Sequence, residues 1–389
     1  MSVTAPKGFV AVGGAVGIKA GGEPDLAIVA SADGRAVPAA GVFTANLAPA
    51  APVQVSRAHL HATGGRSVGV VLTSGNANAA TGSGGLAAAE HLCGLVAIGL
   101  GAATDEVLIC QTGLIGVPFP IGAVEPSVAG IVSRRAGDGP AAASAAEAIM
   151  TTDSVRKEVT IRGARFTVGG MAKGAAMLAP NMATMLAVLT TDASCEPAAL
   201  LDALRQAVGS SFNAMTVDGC TSTNDTVIVL ASGEAGPVSA TTLSGALSEA
   251  AGSLAAQMVG DAEGATKVAH IQVSGAASDT EAHQAARKVA DSLLVKCSLN
   301  GGDAYWGRII SELGSAGVAF QLDRCTIAYG GTTVCRDGEA ADHDAVAVDA
   351  HMAGRHVEIH CDLGVGDGEG VVLSTDLGHG YIDENRTTS

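Results

Sequence analysis

Short apolar runs alternate with longer, alanine-rich stretches through the first third of the chain. Residues 68–73 form an apolar run of the kind a buried strand shows. A polar, glycine-rich loop follows, Ser74-Gly-Asn-Ala-Asn-Ala-Ala-Thr-Gly82-Ser-Gly-Gly85, and then an Ala-rich helix from Leu86. Residues 106–110 predict another short strand, ending at the turn Gln111-Thr-Gly-Leu-Ile-Gly116. A helix over 141–150 stops at Thr151-Thr152-Asp153, and strands at 159–161 and 165–168 lead into Gly169-Gly-Met-Ala-Lys173-Gly174, which reads as a glycine-hinged loop. The run from Met185 to Leu189 suits a buried strand. Pro197 marks the first turn of a helix through Leu200, Leu204 and Val208. Residues 226–230 read as a strand, 243–258 and 281–295 as amphipathic helices. The last quarter is strand-rich, at 318–320, 325–329, 356–360 and 370–374. With no fixed-period repeat and no low-complexity linker, the class is mixed α/β.

Composition narrows this picture. A length of 389 residues suits two or three compact units. Hydrophobic residues at 48% against charged residues at 15% exclude general disorder. Aromatics are only 3% while glycines number 52, so Ala, Val, Leu and Ile must fill the core and close backbone approaches should be common. A net charge of -16 argues against a nucleic-acid partner. The N-terminus shows no charged region followed by an apolar one, so no secretory signal is expected. The stretch 86–103 is interrupted by Glu90 and His91, which favours a core helix over a membrane span. Eight scattered cysteines without a C-x-x-C pair read as buried thiols in a reducing, cytoplasmic setting.

Generic motifs contribute little. Gly65-Arg-Ser67-Val-Gly69 matches G-x-S-x-G, but a nucleophile elbow needs the strand before its serine, and here the strand follows. Gly82-Ser-Gly84-Gly-Leu-Ala87 matches G-x-G-x-x-A, yet Asp105 and Glu106 precede their strand instead of closing it, against dinucleotide binding. His351, His356 and His360 are spaced unlike zinc ligands, so no metal site is expected; on an alternating strand His356 and His360 share a surface face.

One segment carries chemistry: Gly169-Gly-Met-Ala-Lys173-Gly-Ala-Ala-Met-Leu-Ala-Pro180-Asn-Met-Ala183-Thr184-Met-Leu186. By itself Thr184 is a β-branched residue at the edge of a strand. The segment resembles the self-cleavage region of the ornithine acetyltransferase family, the glutamate N-acetyltransferases of arginine biosynthesis. Ser74 to Gly82, Thr112-Gly113-Leu-Ile-Gly116, Thr151-Thr152-Asp153, Glu263-Gly-Ala-Thr-Lys267, Trp306-Gly-Arg308 and Asn385 match the family's other segments in order, across the whole chain. Ala176, Asp303-Ala-Tyr305 and a tail without its usual aromatic residue depart from the pattern.

The resemblance implies an α/β fold of the ornithine acetyltransferase type, a layered sheet sandwich with a smaller C-terminal α/β domain from about residue 280. It implies self-cleavage between Ala183 and Thr184 into an alpha chain, 1–183, and a beta chain, 184–389, with two of each in the assembly. Thr184 would be the catalytic nucleophile, and the Thr112 hydroxyl and Gly113 N–H the oxyanion donors. Thr152, Lys173, Thr184, Glu263, Asn385 and Ser389 would bind substrate. Lysine and hydroxyl donors suit the carboxylates of N2-acetylornithine and glutamate, and Glu263 suits an ammonium. No resident cofactor is implied; acetyl-CoA is a second acetyl donor in bifunctional members, and these residues leave that choice open. Two further readings stand beside this one: a related self-processing N-terminal-nucleophile aminopeptidase or amidohydrolase, and a non-catalytic binding protein of the same fold.

Overall fold

The computed structural model describes residues 2–178 and 185–386. They fall into two units. The first comprises the chain up to Asn213 together with Cys220–Met258; the second comprises Ala214–Gly219 together with the chain from Val259 onward.

Ten strands build the first unit: β1 (Phe9–Gly14), β2 (Leu26–Ser31), β3 (Val37–Phe43), β4 (Arg66–Ser67), β5 (Gly69–Thr73), β6 (Val107–Gln111), β7 (Lys157–Arg162), β8 (Thr167–Lys173), β9 (Leu186–Ser194) and β10 (Thr226–Pro237). One sheet runs β1-β2-β5-β6, the other β4-β3-β10-β9-β8-β7. Period-two alternation buries both faces of β2. Leu26, Ile28 and Ala30 meet a helical layer that includes Leu92, Val96 and Val128. Ala27 and Val29 meet a core shared with Val188, Ile228 and Leu230 of the other sheet. The two sheets therefore pack face to face, as the layered sandwich expectation requires. The helix Gly82–Leu100 is long and apolar enough to cross a membrane, but its Leu92, Val96 and Leu100 face belongs to that helical layer.

In the second unit β11 (Val268–Ala276), β12 (Thr326–Tyr329), β13 (Thr332–Arg336), β14 (Glu339–Ala340), β15 (His356–Asp362) and β16 (Gly368–Thr375) pair in the order β14-β13-β12-β15-β11-β16. The unit starts ahead of residue 280 because β11 lies between β15 and β16 in its sheet. Along β15, Val357, Ile359 and Cys361 are buried while His356, Glu358 and His360 are exposed, so the two histidines do share a surface face.

Several local expectations change. Residues 169–173 are not a hinge; they complete β8, hydrogen-bonded to both β7 and β9. Glycine is needed at Gly169 because a Cβ there would overlap the Ser2 carbonyl oxygen. The helix expected over 281–295 divides into Asp279–Ala290 and Leu293–Gly301, since the Ser292 hydroxyl accepts from Val295 N–H and starts the second one. Residues 318–320 are irregular, with Ala319 N–H donating to the Glu281 carboxylate at 2.9 Å instead of to a neighbouring strand. No disulfide joins the eight cysteines, all of which are described; five are buried, Cys195 is half-buried, and Cys220 and Cys297 are exposed.

Candidate active site

Thr112 and Gly113 follow directly from β6. The loop after β5 is laced against their turn: Thr112 N–H donates to Thr73 O at 2.9 Å, Ala77 N–H to Leu114 O at 3.0 Å, and Gly116 N–H to Ala79 O at 2.9 Å. Asn78 Nδ2 bonds Gln111 Oε1 and Gly85 O, both at 2.9 Å. Gly113 has φ +131° and lies so close to Gly75 that a Cβ would overlap the Gly75 carbonyl carbon. The Thr112 hydroxyl is buried and has no hydrogen-bond partner among the described residues. Leaving a buried hydroxyl unpaired costs about 1–3 kcal/mol, so the site keeps a donor that the resting fold does not use.

A second cluster surrounds Asp153. Its Oδ1 accepts from Lys157 Nζ at 2.6 Å and from Gly174 N–H at 2.7 Å, and its Oδ2 from Thr151 N–H at 3.0 Å. Lys173 Nζ lies 4.0 Å from Oδ2. Burial alone would raise the Asp153 pKa, but the Lys173 and Lys157 charges and these hydrogen bonds pull it down to about 2. The carboxylate thereby ties the Thr151-Thr152 loop to the end of β8, where Lys173 stands opposite Leu186 of β9. Lys173 is buried and Thr152 exposed. Lys19 adds a cation to the same neighbourhood: its Nζ donates to Met150 O at 2.8 Å and Pro24 O at 3.0 Å. Burial lowers its pKa against the opposing pull of Asp25 and Glu23, and Lys173 lowers it further.

Glu263 and Asn385 meet within the second unit. Asn385 Nδ2 donates to Glu263 Oε2 at 2.7 Å and to Tyr381 O at 2.9 Å. Asp376 clamps the loop behind Glu263: Oδ1 accepts from Thr266 N–H and Lys267 N–H, both at 2.8 Å, and Oδ2 from the Thr266 hydroxyl at 2.6 Å. Lys267 Nζ caps a helix C-terminus through Met352 O, Ala353 O and Gly354 O, a structural role. Arg308 of the Trp306-Gly-Arg308 segment donates to Leu294 O at 2.6 Å.

Ala183, Thr184 and Ser389 lie outside the described residues. The sequence did not single out Asp153, Lys157, Lys19 or Asp376. Only Asp153 carried a signal, as the third residue of Thr151-Thr152-Asp153. Ser67 of the G-x-S-x-G match is buried and bonds Gly69 O and Glu106 O, a structural serine. Burial pushes the Cys93 and Cys110 thiols up, against thiolate chemistry there.

The arginine biosynthesis bifunctional protein ArgJ of Mycolicibacterium paratuberculosis is 45% identical over 394 residues, covering 100% of this chain and 96% of that protein. The protein of the same name from Thermobifida fusca is 43% identical over 390 residues, covering 100% of both. The crystal structure of ornithine acetyltransferase complexed with ornithine from Mycobacterium tuberculosis is 44% identical in sequence, covering 46% of this chain and 94% of that one, with a TM-score of 0.44. The model of the ArgJ family matches residues 10–387, and with full-length identity of this order the chain belongs to the ArgJ family.

Proposed function

We propose that this chain transfers acetyl from N2-acetylornithine to glutamate through Thr184, after cutting itself between Ala183 and Thr184. The carrying observation is the buried, unpartnered Thr112 hydroxyl beside the Gly113 backbone, a pair of donors suited to an oxyanion. Family membership and the names of the relatives support the same chemistry.

Thr184 Oγ attacks the Ala183 carbonyl, and the proton of Oγ passes to the departing nitrogen as the C–N bond breaks. Water then cleaves the resulting ester, leaving a carboxylate on Ala183 and a free α-amine on Thr184. An α-amine with a pKa of about 7.7–8.0 is neutral often enough near neutrality to take the Oγ proton. In the first transfer Oγ attacks the acetyl carbonyl of N2-acetylornithine, the C–N bond breaks, and ornithine leaves with the proton. In the second, the glutamate amine attacks the acetyl-threonine ester, giving N-acetylglutamate and restoring the hydroxyl.

Thr112 and Gly113 hold the oxyanion of each step. Lys173 and Thr152 hold the substrate carboxylates, with Asp153 fixing both. Glu263, braced by Asn385, takes the ornithine ammonium, and Ser389 completes the substrate contacts. The transfer needs no resident cofactor. Acetyl-CoA serves as a further acetyl donor, in line with relatives named bifunctional. The fragments 1–183 and 184–389 stay together, two of each per assembly.

Intact mass spectrometry tests this. Wild type should appear as two fragments, and N2-acetylornithine should add one acetyl group to the fragment that begins at Thr184; Thr184→Ala should remain whole and unacetylated. A wild-type chain that stays intact, or a mutant that still carries acetyl, would sink the proposal. Acetate released without an amine acceptor would mark a hydrolase instead.

A further inference from the structure

Residues 224 and 225 connect two parts of the site. Asn224 is 2% exposed, and its Nδ2 donates to Gln111 O at 2.9 Å and Ala77 O at 2.6 Å. Gln111 precedes Thr112, so Asn224 grips both segments of the turn that presents the oxyanion donors. Its own orientation is fixed by the Thr223 hydroxyl, 2.6 Å from Asn224 Oδ1, and by the Ser222 hydroxyl, which accepts from Asn224 N–H at 3.0 Å.

Asp225 faces the other strand. It is 0% exposed, and its Oδ1 accepts from Met185 N–H at 3.0 Å. Met185 is the residue after Thr184 in the chain. Its carbonyl accepts from Thr226 N–H at 3.2 Å, and β9 then runs parallel to β10 from Leu186 opposite Thr226. Both backbone groups of Met185 are thus held by consecutive residues of one segment. The Asp225 backbone carbonyl is in turn bonded by Thr44 N–H at 2.9 Å, and Asp225 Oδ2 is buried without a hydrogen-bond partner among the described residues. An ordinary β-strand start needs no such side chain.

We infer that Asn224-Asp225 is a bracket that sets the spacing between the nucleophile and its oxyanion donors, with Asp225 as the positioning residue for Thr184. This rests on Thr184 being the nucleophile, as proposed above. Reacting atoms must meet within a few tenths of an ångström, and a misplacement of about 1 Å costs about 100-fold in rate. Burial pushes the Asp225 carboxyl above the ordinary carboxylate range, against the pull of Met185 N–H, Lys173 and the Ser222 hydroxyl. Asparagine keeps the oxygen that accepts from Met185 N–H, while leucine of similar bulk offers none.

The test compares Asp225→Leu with Asp225→Asn in the full chain, following self-cleavage by mass and then acetyl transfer on material incubated to full cleavage. For Asp225→Leu we expect cleavage and kcat each about 100-fold slower, with KM for both substrates within about threefold of wild type. Asp225→Asn should stay within about tenfold of wild type in both rates. Wild-type rates in Asp225→Leu would overturn the inference, and so would an Asp225→Asn as slow as the leucine variant. Should Asp225→Leu lack the wild-type circular dichroism, Asn224→Ala carries the test from the other end of the bracket. A fall in kcat at constant KM there supports the bracket, and an unchanged kcat overturns it. Thr184→Ala separates the two levels. If it still cuts itself, the nucleophile assignment fails; if it is inert while the bracket variants are normal, only the positioning role fails.

Discussion

Replacing Thr112 by valine separates catalysis from stability, because the hydroxyl is buried and unpartnered. Valine keeps the shape and removes one donor. If that donor holds the oxyanion, its loss costs about 2.7–4 kcal/mol of transition-state stabilisation, or about 100- to 1,000-fold in kcat. KM for N2-acetylornithine should hardly change, since the donor acts mainly on the developing charge. Stability should move the other way. The wild-type fold bears the desolvation of an unpaired hydroxyl, about 1–3 kcal/mol, and valine removes it. For a chain of 389 residues that corresponds to a rise in Tm on the order of 1 °C per kcal/mol. Steady-state transfer on cleaved enzyme and scanning calorimetry on the same preparation give both numbers. A kcat within twofold of wild type, or a Tm that falls, would refute the assignment. Thr112→Ser, which keeps a donor, should recover most of the rate.

Three other outcomes are expected. Gly113→Ala should lose both stability and activity, by on the order of 1–3 kcal/mol of backbone strain at φ +131° plus overlap with Gly75; thermal melting and kcat together check it. Asp153→Asn leaves buried Lys157 without its carboxylate and should destabilise by about 3–5 kcal/mol in denaturant titrations. The wild-type Asp153 pKa is held down to about 2, below its unfolded value of 3.8, so its stabilisation is fully present above about pH 4 and is lost as the pH falls through 2. The asparagine variant should lack that drop in acid titrations. Glu263→Gln keeps an acceptor for Asn385 but loses the charge; kcat/KM for N2-acetylornithine should fall about 10- to 100-fold with Tm within about 2 °C, and an unchanged kcat/KM would exclude Glu263 from substrate binding.

Local pattern made much of this molecule legible. The apolar runs at 68–73, 106–110 and 226–230 are strands β5, β6 and β10, and Pro197 does open its helix. The segments around Thr112, Thr152, Lys173 and Glu263 could be named because residue types recur there in a recognisable order. Glycine is less legible. The pair Gly169-Gly170 has the sequence of a hinge and is strand, since a glycine's purpose depends on what presses against it, here the Ser2 carbonyl.

Long-range pairing was beyond the sequence altogether. Nothing in the composition around Asn224-Asp225 announces that its two side chains reach Gln111 and Met185, 113 and 40 residues away. Nor does Thr151-Thr152-Asp153 announce that Asp153 gathers Lys157, Lys173 and Gly174. By itself the sequence determined the α/β class, most of the elements and the residues able to do chemistry, because apolar periodicity and residue type are local properties. Only the tertiary structure decided which donor is left unpaired, which carboxyl has its pKa held down and which has it pushed up, because burial and charge neighbours arise from contacts between strands distant in sequence.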